Sequence, residues 1–118
     1  MIVLRHRPLD LKLRHTFRIA RGAADARRNV LVEVEEDGRV GRGEAAPIRR
    51  YHEDPESAAA AVDVMAGRLT DTKPFAQASS RAAVEGQRSA EAAVDMALHD
   101  LAGLRHGAPP MALWLLAW

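Results

Sequence analysis

The chain has no cysteine among its 118 residues, which excludes disulfide frameworks, thiolate zinc sites, Fe–S clusters and cysteine nucleophiles. Aromatic side chains are nearly as scarce, with two Phe, two Trp and one Tyr. Long apolar runs are missing too. The longest, Met111 to Trp118, has eight residues, against about 20 for a membrane-spanning helix. Arg5, His6 and Arg7 interrupt the N-terminus before the apolar core of a targeting signal could form. A cytoplasmic chain that engages no membrane is therefore the expectation. Lysine is limited to Lys12 and Lys73, with no Lys-x-Lys pair. The length suits one domain of ~100–150 residues and falls short of the ~200 residues that a (β/α)₈ barrel needs.

What is present is unevenly spread. Of 23 Ala, six precede residue 58 and 17 lie from Ala58 onward. Residues 1–50 hold 12 basic and seven acidic groups, a net of +5, whereas residues 51–118 hold five and nine, a net of −4. Hydrophobic residues make up 47% of the chain, a globular rather than disordered composition. This division predicts an Arg-rich β half followed by an Ala-rich helical half.

Leu9, Leu11 and Leu13 alternate with Asp10, Lys12 and Arg14, the period of a strand with one buried face. Pro8 near its start implies either a sheet edge or a break after Ile2–Leu4. Val30, Val32 and Val34 repeat the alternation, Asp37-Gly38 supplies a two-residue hairpin turn, and Arg39 to Ala46 forms the returning strand. Gly41 and Gly43 in that strand leave room for close backbone approach. A long connection, His15 to Arg28, separates the first two strands, and a second loop spans Pro47 to Asp54. Asp54-Pro55-Glu56 then opens a helix as N-cap, first-turn Pro and first-turn acid. Its stripe is Ala58, Val62, Met65 and Leu69. A weaker helix covers Phe75 to Glu85. The strongest runs from Ser89 to about Arg105 on the stripe Ala93, Ala97, Leu101 and Leu104, and Gly107 with Pro109-Pro110 stops it. The fold class is α+β: a three-stranded antiparallel β-meander over residues 1–47, then a subdomain of about three helices over 54–107.

Candidate chemistry is sparse. Asp95 and His99 lie four apart on one helical face, yet no third ligand stands at metal-binding spacing, so they read as a solvent-facing pair. Glu33, Glu35, Glu36 and Asp37 read as a solvated hairpin tip. Nucleophile elbows, phosphate-binding glycine loops and EF-hand loops are missing. Eleven Arg in the first 50 residues raise nucleic-acid binding, but Phe17 within them and Tyr51 just beyond are the only stacking rings nearby, so no nucleic-acid partner is expected. The two loops remain. One presents Phe17, Ile19 and Arg21, the other Arg50, Tyr51 and His52. Arginines beside apolar groups suit a small ligand with a carboxylate and an apolar portion. They equally suit a loop whose apolar residues pack beneath it while its arginines are solvated.

Three stretches carry a family resemblance: Thr16-Phe17-Arg18-Ile19-Ala20-Arg21-Gly22; Gly41-Arg42-Gly43-Glu44-Ala45-Ala46-Pro47 closing on Arg50-Tyr51; and, most specific, the helix Ala90 to Gly103 with its Asp95, Ala97-Leu98 and Asp100-Leu101. The chain resembles the N-terminal capping domain of the enolase superfamily, in its mandelate racemase and muconate lactonizing branch. The combination of Phe-Arg-Ile-Ala-Arg-Gly with Arg-Tyr looks most like the dipeptide epimerases that act on L-Ala-D/L-Glu.

The resemblance implies a domain over residues 1–110 whose two loops close over the mouth of a barrel. That barrel would supply Lys bases and the carboxylates holding Mg²⁺. It further implies that Phe17, Ile19, Arg21, Arg50, Tyr51 and His52 contact a small carboxylate or dipeptide substrate. No residue of this chain takes a catalytic or metal-binding role; Asp95 and Asp100 serve packing. His52 stands where the epimerases often carry Gly. Residues 111–118 form an apolar tail at the junction with the missing C-terminal barrel, so the chain reads as the front of a longer enzyme, inactive alone. A cap of a muconate cycloisomerase or o-succinylbenzoate synthase is the alternative within the family. Outside it stands a binding or assembly module using the apolar tail, and self-association is left open.

Overall fold

The computed structural model describes residues 2–19, 22–47, 52–69 and 75–107, with backbone alone for 10–19, 22–27 and 75–77. Three strands, β1 (Val3–Ile19), β2 (Gly22–Glu36) and β3 (Arg39–Ala45), precede three helices, α1 (Pro55–Arg68), α2 (Phe75–Ala82) and α3 (Arg88–His106). The strands form one antiparallel sheet in the order β1-β2-β3. The α+β meander-then-helices architecture is the one expected from the alternation and the helical stripes.

Pro8 lies within β1, an edge strand, the position in a sheet where a residue without an N–H is tolerated. No break follows Leu4. Asp37 (φ 54°) and Gly38 (φ 78°) make the two-residue turn, both in the left-handed region that a tight hairpin requires.

One expectation is corrected. The connection anticipated over residues 15–28 is mostly strand: β1 and β2 stay paired from Val3↔Glu35 to Lys12↔Ala26 and again from Phe17↔Ala24 to Ile19↔Gly22, with a register shift between. β3 ends opposite Val30, so beyond that rung the first two strands pair only with each other. Backbone pairing needs no buried face, so the outer part of the ribbon forms strand without the sustained alternation that Leu9, Leu11 and Leu13 show nearer its root.

Helix α1 begins as predicted. Asp54 Oδ1 accepts from the Ser57 N–H at 2.6 Å, and Ser57 Oγ accepts from the Asp54 N–H at 3.0 Å, a reciprocal capping box with Pro55 in the first turn. Its stripe of Ala58, Val62, Met65 and Leu69 is buried. Helix α3 ends at Gly107, whose φ of 62° closes a left-handed cap. Of its predicted stripe, Ala93, Ala97 and Leu101 are buried, but Leu104 is half exposed.

The core lies between the helices and the inward face of β2, where Val30, Val32 and Val34 meet α1 and α3. Small residues set the spacing. A Cβ on Gly41 would strike the Ala97 carbonyl oxygen, and one on Gly43 the Ala93 carbonyl oxygen. The two glycines thus let α3 rest on the backbone of β3, the close approach anticipated from their positions.

Candidate functional site

The two sequence-predicted segments leave the sheet at the same end. β1 runs toward Ile19, β2 returns from Gly22, and β3 runs parallel to β1 and ends at Ala45. Residues 22–29 of β2 extend past the last β3 rung, so at ~3.3 Å per residue the hairpin tip stands up to ~26 Å beyond it. Phe17 and Ile19 occupy β1 opposite Ala24 and Gly22. Their side chains, and Arg21, Arg50 and Tyr51 altogether, lie outside the described residues. His52 is described: it is exposed and its φ is 61°, a left-handed conformation that a non-glycine residue adopts at a cost of ~1 kcal/mol.

The root of the ribbon is fastened to α1. Arg28 Nη2 donates to Glu56 Oε1 at 2.6 Å, and His6 Nε2 lies 2.9 Å from Asp63 Oδ1. The Arg28 hydrogen bond holds the Glu56 carboxyl below the usual carboxylate range. A cavity of about 190 Å³ opens between these pairs, bounded by Pro8, Val30, Pro55 and Ala59. It has room for one medium-sized apolar group.

The downstream end of the second loop is anchored by a residue that sequence reasoning passed over. Glu53 is 5% exposed, and its Oε1 accepts from the Arg88 N–H at 2.8 Å and the Ser89 N–H at 3.4 Å. It caps α3 from 35 positions away. Only the lack of a good capping side chain at Gln87 could have hinted at it.

Of the four acids at the hairpin end, Asp37 is exposed in the turn as expected, but the other three are not a solvated tip. Glu33 accepts from Arg42 Nε at 3.0 Å and Arg5 Nε at 3.5 Å, Glu35 pairs with Arg5, and Glu36 lies 2.8 Å from Arg105 Nη1. Their partners come from neighbouring strands and α3, which sequence order does not reveal. Partial burial pushes the Glu33 carboxyl up, but the hydrogen bonds from Arg42 and Arg5 outweigh it and hold the group below its ordinary value.

Asp95 and His99 also depart from a solvent-facing pair. His99 is 7% exposed. Its Nδ1 lies 2.8 Å from the Asp95 carbonyl oxygen, so that nitrogen donates. Asp95 Oδ1 accepts from Ser79 Oγ at 2.9 Å, joining α2 to α3. Asp100 Oδ2 accepts from the Arg42 N–H at 2.9 Å. Among the described residues no three carboxylate or imidazole groups converge to hold a metal ion. Among the same residues no helix is long and apolar enough to cross a membrane.

The strand ends of the meander deliver both segments to one side of the sheet, backed by a capped helical layer. The sequence matches the mandelate racemase / muconate lactonizing enzyme N-terminal domain over residues 2–114, and the chain belongs to that family. It is 36% identical over 112 residues to the L-Ala-D/L-Glu epimerase of Bacteroides thetaiotaomicron, covering 91% of this chain and 29% of that protein. It is 37% identical over 108 residues to the L-Ala-D/L-amino acid epimerase of Pedosphaera parvula, covering 86% and 31%. Its fold superposes with a TM-score of 0.86 on the dipeptide epimerase of Cytophaga hutchinsonii, solved with Mg and D-Ala-L-Val. The identity there is 25%, over 95% of this chain and 32% of that one. The chain thus spans about 30% of the length of the curated relatives it matches.

Proposed function

We propose that this chain is the capping and substrate-selecting domain of a cytoplasmic dipeptide-epimerase-like enzyme whose proton-transfer chemistry belongs to a C-terminal barrel. The observation carrying this reading is that both loop-bearing segments emerge at one end of the sheet, in a chain whose curated relatives are epimerases of alanyl dipeptides. In the full enzyme the barrel would hold Mg²⁺, and residues 111–118, outside the described residues, would lead into it. The cap's part is to bind and orient the distal portion of the dipeptide and to exclude water. Phe17 and Ile19 would supply apolar contact, Arg21 and Arg50 counter-charge, and Tyr51 and His52 hydrogen bonds. Alone, these 118 residues lack a Lys-x-Lys pair and would not turn over a dipeptide.

Splicing residues 1–110 onto the remainder of the Bacteroides epimerase tests this. The chimera is expected to epimerise alanyl dipeptides with Mg²⁺ present, with Arg21→Ala and Arg50→Ala altering which dipeptides it prefers. The 118-residue chain alone is expected to be silent. Metal-dependent racemisation by the chain alone would overturn the division of labour. A chimera active only in cycloisomerisation would favour the muconate-type alternative, and a defined oligomer of the isolated chain would favour an assembly module.

A further inference from the structure

The two residues that follow His52 each close a different helix. Asp54 caps α1 through its reciprocal pair with Ser57. Glu53 caps α3, whose own N-cap residue Gln87 makes no side-chain cap bond. Ser57 Oγ also donates to Gln87 Oε1 at 3.4 Å, tying the two helix starts together. A buried carboxylate is well placed there: the first turn of α3 offers unpaired N–H donors and the positive end of the helix dipole. A local Ser or Asp at position 87 would cap α3 equally well. Recruiting the cap from residue 53 adds a covalent consequence, because the backbone immediately upstream is then held against α3. That backbone is His52, exposed and in the left-handed region.

We propose that Glu53 is a positioning residue: by capping α3 it fixes the backbone of His52 and so the direction in which the end of the second loop is presented to substrate. The substrate half of this statement rests on the capping function proposed above; the anchoring half does not.

Two measurements separate them. In the 118-residue chain, Glu53→Ala is expected to speed amide exchange at Arg88 and Ser89 by ~tenfold or more, as loss of a charge-assisted hydrogen bond implies. It is also expected to move the backbone and ring resonances of His52. Glu53→Gln, whose amide oxygen can accept the same two bonds, should restore most of the protection and the His52 positions. Val62→Ala, a core truncation, should lower the melting temperature while leaving His52 in place. If Glu53→Ala does not fold, Glu53→Asp, one methylene short, is read in the same way. Unmoved His52 resonances in a Glu53 variant that has lost Arg88 protection would overturn the anchoring. In the chimera, Glu53→Ala is expected to raise dipeptide KM by ~tenfold with kcat within about twofold, the signature of lost substrate positioning. A fall in kcat at unchanged KM would overturn the positioning role. A wild-type chimera inert toward dipeptides would instead defeat the proposed function while the resonance data still decide the anchoring.

Discussion

The backbone N–H of Arg42 donates to Asp100 Oδ2 at 2.9 Å, so a side chain of α3 caps the free edge of β3. An unpaired edge strand is a template for association with other chains, and a carboxylate bound across it blocks that pairing. Asp100→Ala is expected to cost ~1–2 kcal/mol, since the donor loses a charged acceptor. Asp100→Asn keeps an acceptor oxygen and should recover part of the loss. Urea denaturation of the three proteins measures both; equal stability of Asp100→Ala and wild type would contradict the capping.

The glycines of β3 and α1 should respond in opposite directions to the same change. A methyl at Gly41 or Gly43 meets the carbonyl oxygens of Ala97 or Ala93, which are helix backbone and cannot swing aside. Gly43→Ala is therefore expected to destabilise by ~2 kcal/mol or more, through forced separation of α3 from the sheet. Gly67 has open space around its Cβ position and lies in α1, so Gly67→Ala should add ~0.5–1 kcal/mol from helix propensity. Thermal melts of the pair check the contrast.

Stability should fall on acidification in a way traceable to Glu33. Its carboxyl is held below the ordinary value by Arg42 and Arg5 against the opposing effect of partial burial. A depressed folded pKa means that the unfolded chain takes up the proton first. The contribution is thus complete above the unfolded value of ~4.3 and is lost as pH drops through the lower folded value. Glu56, held down by Arg28, acts in the same sense. Unfolding free energies measured from pH 6 downward should decline less steeply in Glu33→Gln than in wild type, because that variant has no proton to take up at this position. An unchanged slope would remove Glu33 from the account.

His52 carries backbone strain at φ 61°, and His52→Gly should relieve it, raising stability by up to ~1 kcal/mol after the added chain entropy of glycine is subtracted. Differential scanning calorimetry of the two chains tests this. A lower melting temperature in the glycine variant would mean that the His52 ring makes compensating contacts.

Particular residues show where the sequence was readable. Asp54-Pro55-Glu56 announced α1, and Gly107 announced the end of α3, because capping chemistry is local and uses few residue types. Asp37-Gly38 announced the hairpin for the same reason. Val30, Val32 and Val34 declared a buried face because β2 is central and covered on one side. Residues 15–28 did not declare themselves as strand. Glu33 looked solvated because its two arginines come from β1 and β3, and Asp95 looked solvent-facing because its partner Ser79 lies on α2.

The sequence by itself determined the order of elements, the start of α1, the end of α3 and a close backbone approach at Gly41 and Gly43, since each follows from neighbours within a few residues or from a glycine. Residues 16–22, 41–51 and 90–103 also pointed to the family that the match over residues 2–114 then established. Only the tertiary structure decided that the two loop-bearing segments leave one end of the sheet, and that Glu53 reaches across to the start of α3. Both depend on which strands pair and which helix ends meet. Those are contacts between residues dozens of positions apart, and a linear pattern holds no record of them.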